Sequence, residues 1–314
     1  MNNGRSNRLP TRGLAATTAL AAATFALALG AVPVGAQVLR DGGDAFARSR
    51  TSNTLLYASN FYPATIEIYA ADKPGVPLIG EIGNGLSNLY NLCVDRTGAL
   101  YAQNNNGTIS VYNPRALTPN KTLYESVRQG TGVGITVADD GSVYTSDPYD
   151  SLVFVFAPGS TRNTGTISLA SPLGVAVDKR GTLFVSYSAS ASRGGVMAFP
   201  GGKQPGYVVN GISLQLTGGL AFDRAGNLLV GDQGTKMIGV YKVRAHSASL
   251  QRQIASNYPY EFTVDSHDKN LYLVSGDQPN GVSVYDYASG ALLNSITAGF
   301  SSQDYAEGVA LAPG

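Results

Sequence analysis

The chain has 314 residues, of which 43% are hydrophobic and 14% are charged, and its formal net charge is +1. The charged share is well below the roughly 25% of a typical globular protein, whereas 38 Gly and 18 Tyr favour turns and strands. A nearly neutral chain lacks the basic face that a phosphate backbone needs, so we expect no nucleic-acid partner. The length allows two ordinary domains or one large all-β domain.

The first 36 residues differ from the rest of the chain. Three arginines precede an apolar run from Leu14 to Val34, and small residues follow it as far as Ala36. This order is typical of a cleaved secretory signal. We therefore predict a signal peptide over 1–36, a linker over 37–53 and one domain over 54–314, in a periplasmic or secreted protein that is not inserted in a membrane after cleavage. A retained anchor is the alternative, because the run is long enough to span a bilayer.

One phrase recurs along the chain: a short apolar strand, a turn with Asp and Gly, and a second strand. Its copies begin at residues 91, 134, 174, 219, 261 and 308, so successive starts are 43, 40, 45, 42 and 47 residues apart. A third apolar segment follows each second strand, at 65–70, 108–113, 152–157, 195–200, 238–243 and 282–287. Weaker fourth segments lie at 77–83, 122–127, 164–170, 207–212, 250–255 and 292–299. Four strands per unit at this period are typical of β-propeller blades.

The two ends of the domain complete each other. "TLLYASN" (54–60) is a second strand that lacks its first, and "GVALAPG" (308–314) is a first strand that lacks its second. Joining them completes a sixth blade and leaves no exposed sheet edge at either terminus. We therefore predict an all-β, six-bladed β-propeller of four-stranded antiparallel blades, closed by strand 308–312 pairing with the strands of 54–83.

The acidic residue of the phrase stands where each turn begins, at Asp95, Asp178, Asp223 and Asp265. An Asp in this position accepts backbone N–H groups, and a glycine three residues later supplies a positive φ. Since these acids recur with the repeat, we assign them to the scaffold and not to catalysis.

The phrase G-[VL]-A-[VF]-D-x-x-G-x-L, present at 174–183 and 219–228, resembles the NHL repeat of six-bladed propellers. It is more loosely similar to the gluconolactonase-like and streptogramin-lyase-like propellers. Enzymes of these classes imply channel histidines or a set of Glu, Asn and Asp metal ligands. This chain has only two histidines, His246 in a polar linker and His267 in a turn. The catalytic and metal-binding motifs of those enzymes are not found in the sequence, which disfavours an enzyme of these classes.

Functional residues are expected where a blade departs from the repeat, because repeated positions serve the ring. At the first position of the phrase four copies have Gly, whereas Asn91 and Glu261 replace it in two blades that flank the closing blade. The sequence therefore predicts a cluster on one side of the channel mouth, formed by Tyr90, Asn91, Tyr260, Glu261 and Glu307.

The ends of the second strands are expected to add rim residues, namely Asn60, Asn104, Asp147, Tyr187 and Asp232. Further tyrosines are expected on the same rim at Tyr62, Tyr149, Tyr258 and Tyr305. Aromatic faces beside amides and carboxylates suit a carbohydrate, a peptide or a protein loop. We predict no cofactor, with Ca²⁺ at the acids of the mouth as the alternative. Cys93, in the middle of a strand, is expected to be a packed core residue.

The leading hypothesis is an exported, monomeric binding module that uses its rim. One alternative is a metal-dependent lactonase, hydrolase or lyase whose channel ligands are Glu261 or Glu307 together with Asn91 and Asp232. Another is a structural envelope protein in which the ring is an inert spacer.

Overall fold

The computed structural model describes residues 52–126, 132–191, 193–274, 280–301 and 304–313. All of these residues belong to one compact unit. The predicted signal peptide over 1–36 and nearly all of the predicted linker over 37–53 lie outside the described residues. Within the described ranges, no helix is long and apolar enough to cross a membrane.

The described ranges form six four-stranded sheets, which we number as blades 1 to 6. Blade 1 consists of β24 (Ala306–Pro313), β1 (Thr54–Asn60), β2 (Thr65–Ala70) and β3 (Leu78–Ile82). Blade 2 consists of β4 (Leu89–Val94), β5 (Leu100–Asn104), β6 (Thr108–Tyr112) and β7 (Lys121–Tyr124). Blade 3 consists of β8 (Gly134–Val137), β9 (Val143–Asp147), β10 (Leu152–Phe156) and β11 (Gly165–Ser168).

The remaining three sheets continue the pattern in chain order. Blade 4 consists of β12 (Pro172–Val177), β13 (Leu183–Ser190), β14 (Arg193–Phe199) and β15 (Tyr207–Val208), with a short 3-10 turn at Pro200–Gly202. Blade 5 consists of β16 (Thr217–Phe222), β17 (Leu228–Asp232), β18 (Met237–Arg244) and β19 (Ser247–Ala255). Blade 6 consists of β20 (Glu261–Val264), β21 (Asn270–Val274), β22 (Val282–Asp286) and β23 (Leu292–Ile296).

Every strand pair within a blade is antiparallel. The first strand of each blade is the inner strand, and the inner strands contact one another in the order β24, β4, β8, β12, β16, β20 and back to β24. The sheets therefore form a closed ring. The fold is a six-bladed β-propeller, as the repeat predicted.

The ring is closed by the C-terminal strand, which confirms the prediction made from the two incomplete repeats. β24 pairs with β1, so that Leu56 lies opposite Leu311 and Ala58 lies opposite Val309. The backbone N–H of Gly308 also donates to Oγ of Ser59 at 2.7 Å. Both ends of the domain are thereby fixed in one sheet.

The core consists of six apolar clusters, one at each interface between neighbouring blades of the described chain. This follows from the alternation of strand side chains between the two faces of a sheet. In β1, Leu55 and Tyr57 pack towards blade 2, whereas Leu56 and Ala58 pack towards blade 6. Cys93 is partly buried and packs against the cluster between blades 2 and 3, as predicted.

The turn after each inner strand is built as the phrase predicts. Oδ1 of Asp178 accepts the backbone N–H groups of Arg180 at 2.9 Å and Thr182 at 2.8 Å. Gly181 follows with a φ of +78°. In blade 6, where the glycine is missing, Asp268 adopts the positive φ instead, at +55°. The repeated acids therefore belong to the scaffold.

Candidate functional site

The mouth is the end of the ring at which the inner strands begin and the second strands end. Here the inner strands of adjacent blades pack backbone against backbone. A Cβ atom on Gly308 would lie 2.6 Å from Cα of Asn91, and one on Gly219 would lie 2.8 Å from the carbonyl oxygen of Tyr260. Glycine therefore suits this position, and Asn91 and Glu261 are the two departures from it.

Glu261 carries a buried carboxyl group at the mouth. Its side chain is 6% exposed, and its Oε1 atom has no hydrogen-bond partner. Burial raises the pKa of Glu261 to about 8, the Asn91 side chain lowers this pKa, and the Glu307 carboxylate raises it. A pKa in this range keeps the group largely protonated at neutral pH.

Tyr260 and Glu307 complete the same cluster. Burial raises the pKa of Glu307 to about 7. Burial also raises the pKa of the Tyr260 hydroxyl well above its ordinary value, and the charges of Glu307, Glu261 and Tyr90 raise it further. These influences link Tyr90, Asn91, Tyr260, Glu261 and Glu307 at the mouth, where Asn91 and Glu261 replace the glycine of the repeat.

An aromatic patch, formed by Phe61, Tyr62, Tyr90 and Tyr305, lies beside this cluster. The ring of Phe61 packs edge-on against Tyr62 at 4.6 Å and lies 5.2 Å from Tyr90, measured between centroids. The rings of Tyr62 and Tyr305 are 6.2 Å apart. Tyr62 is 51% exposed and Tyr305 is 42% exposed, so the patch presents aromatic faces to solvent.

Tyr90 connects the patch to the carboxyl cluster, since it belongs to the patch and also acts on the pKa of Tyr260. Tyr149, on the neighbouring blade 3, acts on the same hydroxyl and is 48% exposed. The aromatic patch and the acidic cluster therefore adjoin at Tyr90. Phe61, which contacts both Tyr62 and Tyr90, escaped the sequence argument because that argument considered only tyrosines for the rim.

The polar residues at the ends of the second strands lie elsewhere than expected. Four of them are buried inside the loops that follow the strands, at 0 to 8% exposure: Asn60, Asn104, Asp147 and Asp232. This corrects the expectation that their side chains face the rim. The physical reason is local, because an Asp or Asn at a strand end caps the backbone N–H groups of the loop that folds over it.

The individual bonds show this capping. Oδ1 of Asn104 accepts the N–H of Ser87 at 2.9 Å, whereas the bond of Asn60 joins two side chains, from its Nδ2 to Oδ2 of Asp304 at 2.9 Å. Oδ1 of Asp147 accepts the N–H groups of Tyr149 and Asp150, and Asp232 accepts those of Gln215, Leu216 and Gly234.

Tyr187 is also separate from the cluster. It is half-buried on β13 and lies against Gly195 of β14, in blade 4, which stands opposite blade 1 in the ring. In the part of the chain that the structure describes, no group of three or more His, Cys, Asp or Glu is arranged to hold a metal ion. Asp232, which the enzyme alternative takes as a ligand, is occupied by loop N–H groups.

Comparison with known proteins supports the propeller fold and does not assign a family or an activity. No protein-family model matches the chain, and no curated protein matches it in sequence. Solved structures do match. They share the propeller fold.

A chain in the crystal structure of a nidogen–laminin complex is 19% identical with a TM-score of 0.65, over 82% of this chain and 98% of that chain. A protein of unknown function from Bacteroides caccae is 12% identical with a TM-score of 0.61, over 83% and 99%. A functionally unknown protein from Desulfotomaculum acetoxidans DSM 771 is 12% identical with a TM-score of 0.53, over 77% and 78%. Identities this low carry no information on activity.

Proposed function

We propose that this propeller is a binding module whose ligand docks at the mouth, on the aromatic patch and over Glu261 and Glu307. The observation that supports it most is the exposure of Tyr62 and Tyr305 beside the buried carboxyl group of Glu261 and the half-buried one of Glu307, both of raised pKa. Monomeric proteins seldom expose clustered large aromatic rings without a binding role. Tyr combines a rigid apolar face with a polar tip, and it is enriched among residues that dominate binding energy.

The ligand class that fits is one with a flat apolar face and hydrogen-bonding groups: a carbohydrate, a peptide or the loop of a protein partner. The protonated Glu261 supplies a donor, and the aromatic rings supply stacking area. The similar chain in the nidogen–laminin complex belongs to a protein–protein assembly, which is compatible with such a module. The proposal includes export to the periplasm or outside, on the strength of the predicted signal over 1–36, and kinship with NHL-repeat propellers, on the phrase at 174–183 and 219–228.

The proposal is tested by binding of the purified protein to glycan and peptide arrays, followed by titration of the ligands found. Tyr62→Ala is expected to weaken binding roughly tenfold, about 1.4 kcal/mol, because it removes an exposed aromatic anchor. Tyr124→Ala is the matched control, since Tyr124 is 45% exposed but lies on β7 at the outer edge of blade 2. The assignment to the patch would be wrong if both variants lost binding equally, or if neither variant lost binding.

A further inference from the structure

A second polar site, independent of the mouth function, lies between blades 2 and 3. Three blades carry a serine at an equivalent position of the second strand, and each hydroxyl donates to a carbonyl of the next inner strand: Ser59 to Tyr90 at 2.8 Å, Ser146 to Leu173, and Ser186 to Gly218 at 2.8 Å. Blade 2 has Gln103 at this position instead. Its Nε2 atom donates to Oε1 of Glu125 at 3.1 Å, so the bridging bond of blades 1, 3 and 4 is replaced by a polar pair.

Strand alternation places this pair at the interface with blade 3. In β5, Ala102 packs in the cluster between blades 1 and 2, whereas Tyr101 packs in the cluster between blades 2 and 3. Gln103, two residues beyond Tyr101, therefore faces blade 3. The chain of Gly132 passes against the pair, because a Cβ atom there would collide with Nε2 of Gln103 and lie 3.0 Å from Oε1 of Glu125.

Blade 3 contributes two more polar side chains from the opposite wall. In β9, Val143 packs in the cluster between blades 2 and 3, and Tyr144 packs on the other face towards blade 4. Thr145 and Asp147 therefore face blade 2. The pair of Gln103 and Glu125 on one wall therefore faces Thr145 and Asp147 on the other.

Every one of the four side chains has a buried oxygen without a hydrogen-bond partner. These atoms are Oε1 of Gln103, Oε2 of Glu125, Oγ1 of Thr145 and Oδ2 of Asp147. Gln103, Thr145 and Asp147 are 0% exposed, and Glu125 is 8% exposed. A buried polar atom left unsatisfied costs about 1–3 kcal/mol, so a partner shared by these oxygens would stabilise the interface.

The two carboxyl groups at this interface, those of Glu125 and Asp147, are both buried. In the described ranges the ion pairs are Lys73 with Asp72 and Arg180 with Asp178, so neither buried carboxyl has a cationic side chain as partner there.

We propose that a calcium ion binds between blades 2 and 3, held by the free oxygens of Gln103, Glu125, Thr145 and Asp147. The donor set is entirely oxygen, with two carboxylates, one amide and one hydroxyl, which suits a hard cation and excludes a soft one. Ca²⁺ accepts neutral oxygen ligands and flexible geometry, whereas Mg²⁺ keeps most of its own water. The ion would tie the second strands of two neighbouring blades where the serine bridge is missing.

The test uses the full protein freed of metal by a chelator, with calcium binding followed by isothermal titration and by thermal unfolding. One Ca²⁺ per chain is expected, together with a rise in the unfolding temperature. Asp147→Asn keeps the Oδ1 acceptor for the N–H groups of Tyr149 and Asp150, at 2.8 and 3.0 Å, and removes one charge. It is expected to fold and to bind Ca²⁺ at least tenfold more weakly, as is Glu125→Gln.

Glu261→Gln is the matched control, because it neutralises a buried carboxyl at the mouth and is expected to leave calcium binding unchanged. Absence of Ca²⁺ binding at millimolar concentration overturns the proposal. Loss of binding in Glu261→Gln with retention in Asp147→Asn overturns it as well, because the ion would then lie at the mouth. Calcium binding is measured without any ligand of the aromatic patch, so failure here and failure of the proposed binding function are separate outcomes.

Discussion

Replacement of Gly308 by alanine tests how tightly the ring is closed. The added Cβ atom would lie 2.6 Å from Cα of Asn91 and 2.8 Å from both the N atom of Leu92 and the carbonyl oxygen of Tyr90. All three are backbone atoms, so no side chain can rotate away, and the inner strands of blades 1 and 2 must separate. Overpacking of this kind costs about 1–3 kcal/mol, and we expect Gly308→Ala to lower the free energy of unfolding by that amount.

Gly165→Ala is the matched control for this prediction. Gly165 also lies in a strand, β11, without a positive φ, and a Cβ atom there has no neighbour within 4 Å. Its substitution is expected to change the free energy of unfolding by less than about 0.5 kcal/mol. Urea unfolding of the two variants and the parent protein gives the comparison. The reasoning is refuted if Gly308→Ala is as stable as Gly165→Ala.

Two further predictions concern pH and the blade turns. Because the folded pKa of Glu261 is about 8 and its ordinary value is 4.5, the folded state holds a proton that the unfolded state has released, so stability falls as pH rises from about 5 to 8. Glu261→Gln is expected to flatten this fall by up to about 1.4 kcal/mol per pH unit, measured by chemical denaturation across that range, and an unchanged slope contradicts the assignment. Asp178→Ala removes the acceptor of two backbone N–H groups and is expected to cost about 1–2 kcal/mol in the same assay, whereas a neutral effect means that the turn forms without its cap.

The fold could be predicted because the sequence pattern of one blade is repeated along the chain. The strand–turn–strand phrase and its spacing specify the sheets, and the incomplete copies at 54–60 and 308–314 specify the closure. Asn91 and Glu261 could be singled out for a related reason, because the other four blades have glycine at this position. That they belong to a ligand site stays a prediction.

The second-strand ends show where this reasoning fails. A sequence does not reveal whether an Asp or Asn after a strand points to solvent or caps its own loop, because both uses favour the same residues. Asp147 and Asp232 are therefore indistinguishable from rim ligands until the loop path is known.

The calcium site between blades 2 and 3 had one signal in the sequence, Gln103 in place of the serine found in blades 1, 3 and 4. Its partner Glu125 lies outside any strand and could not be paired with it by spacing.

The central claim is that the ligand of this propeller binds at the mouth, over blades 6, 1 and 2. A crystal structure of the protein with a ligand from the glycan or peptide arrays tests it most directly. The account predicts that the ligand stacks on Tyr62 and Tyr305 and places a polar group near the carboxyl of Glu261. A ligand bound on the outer strands, or at the opposite end of the ring, contradicts the account.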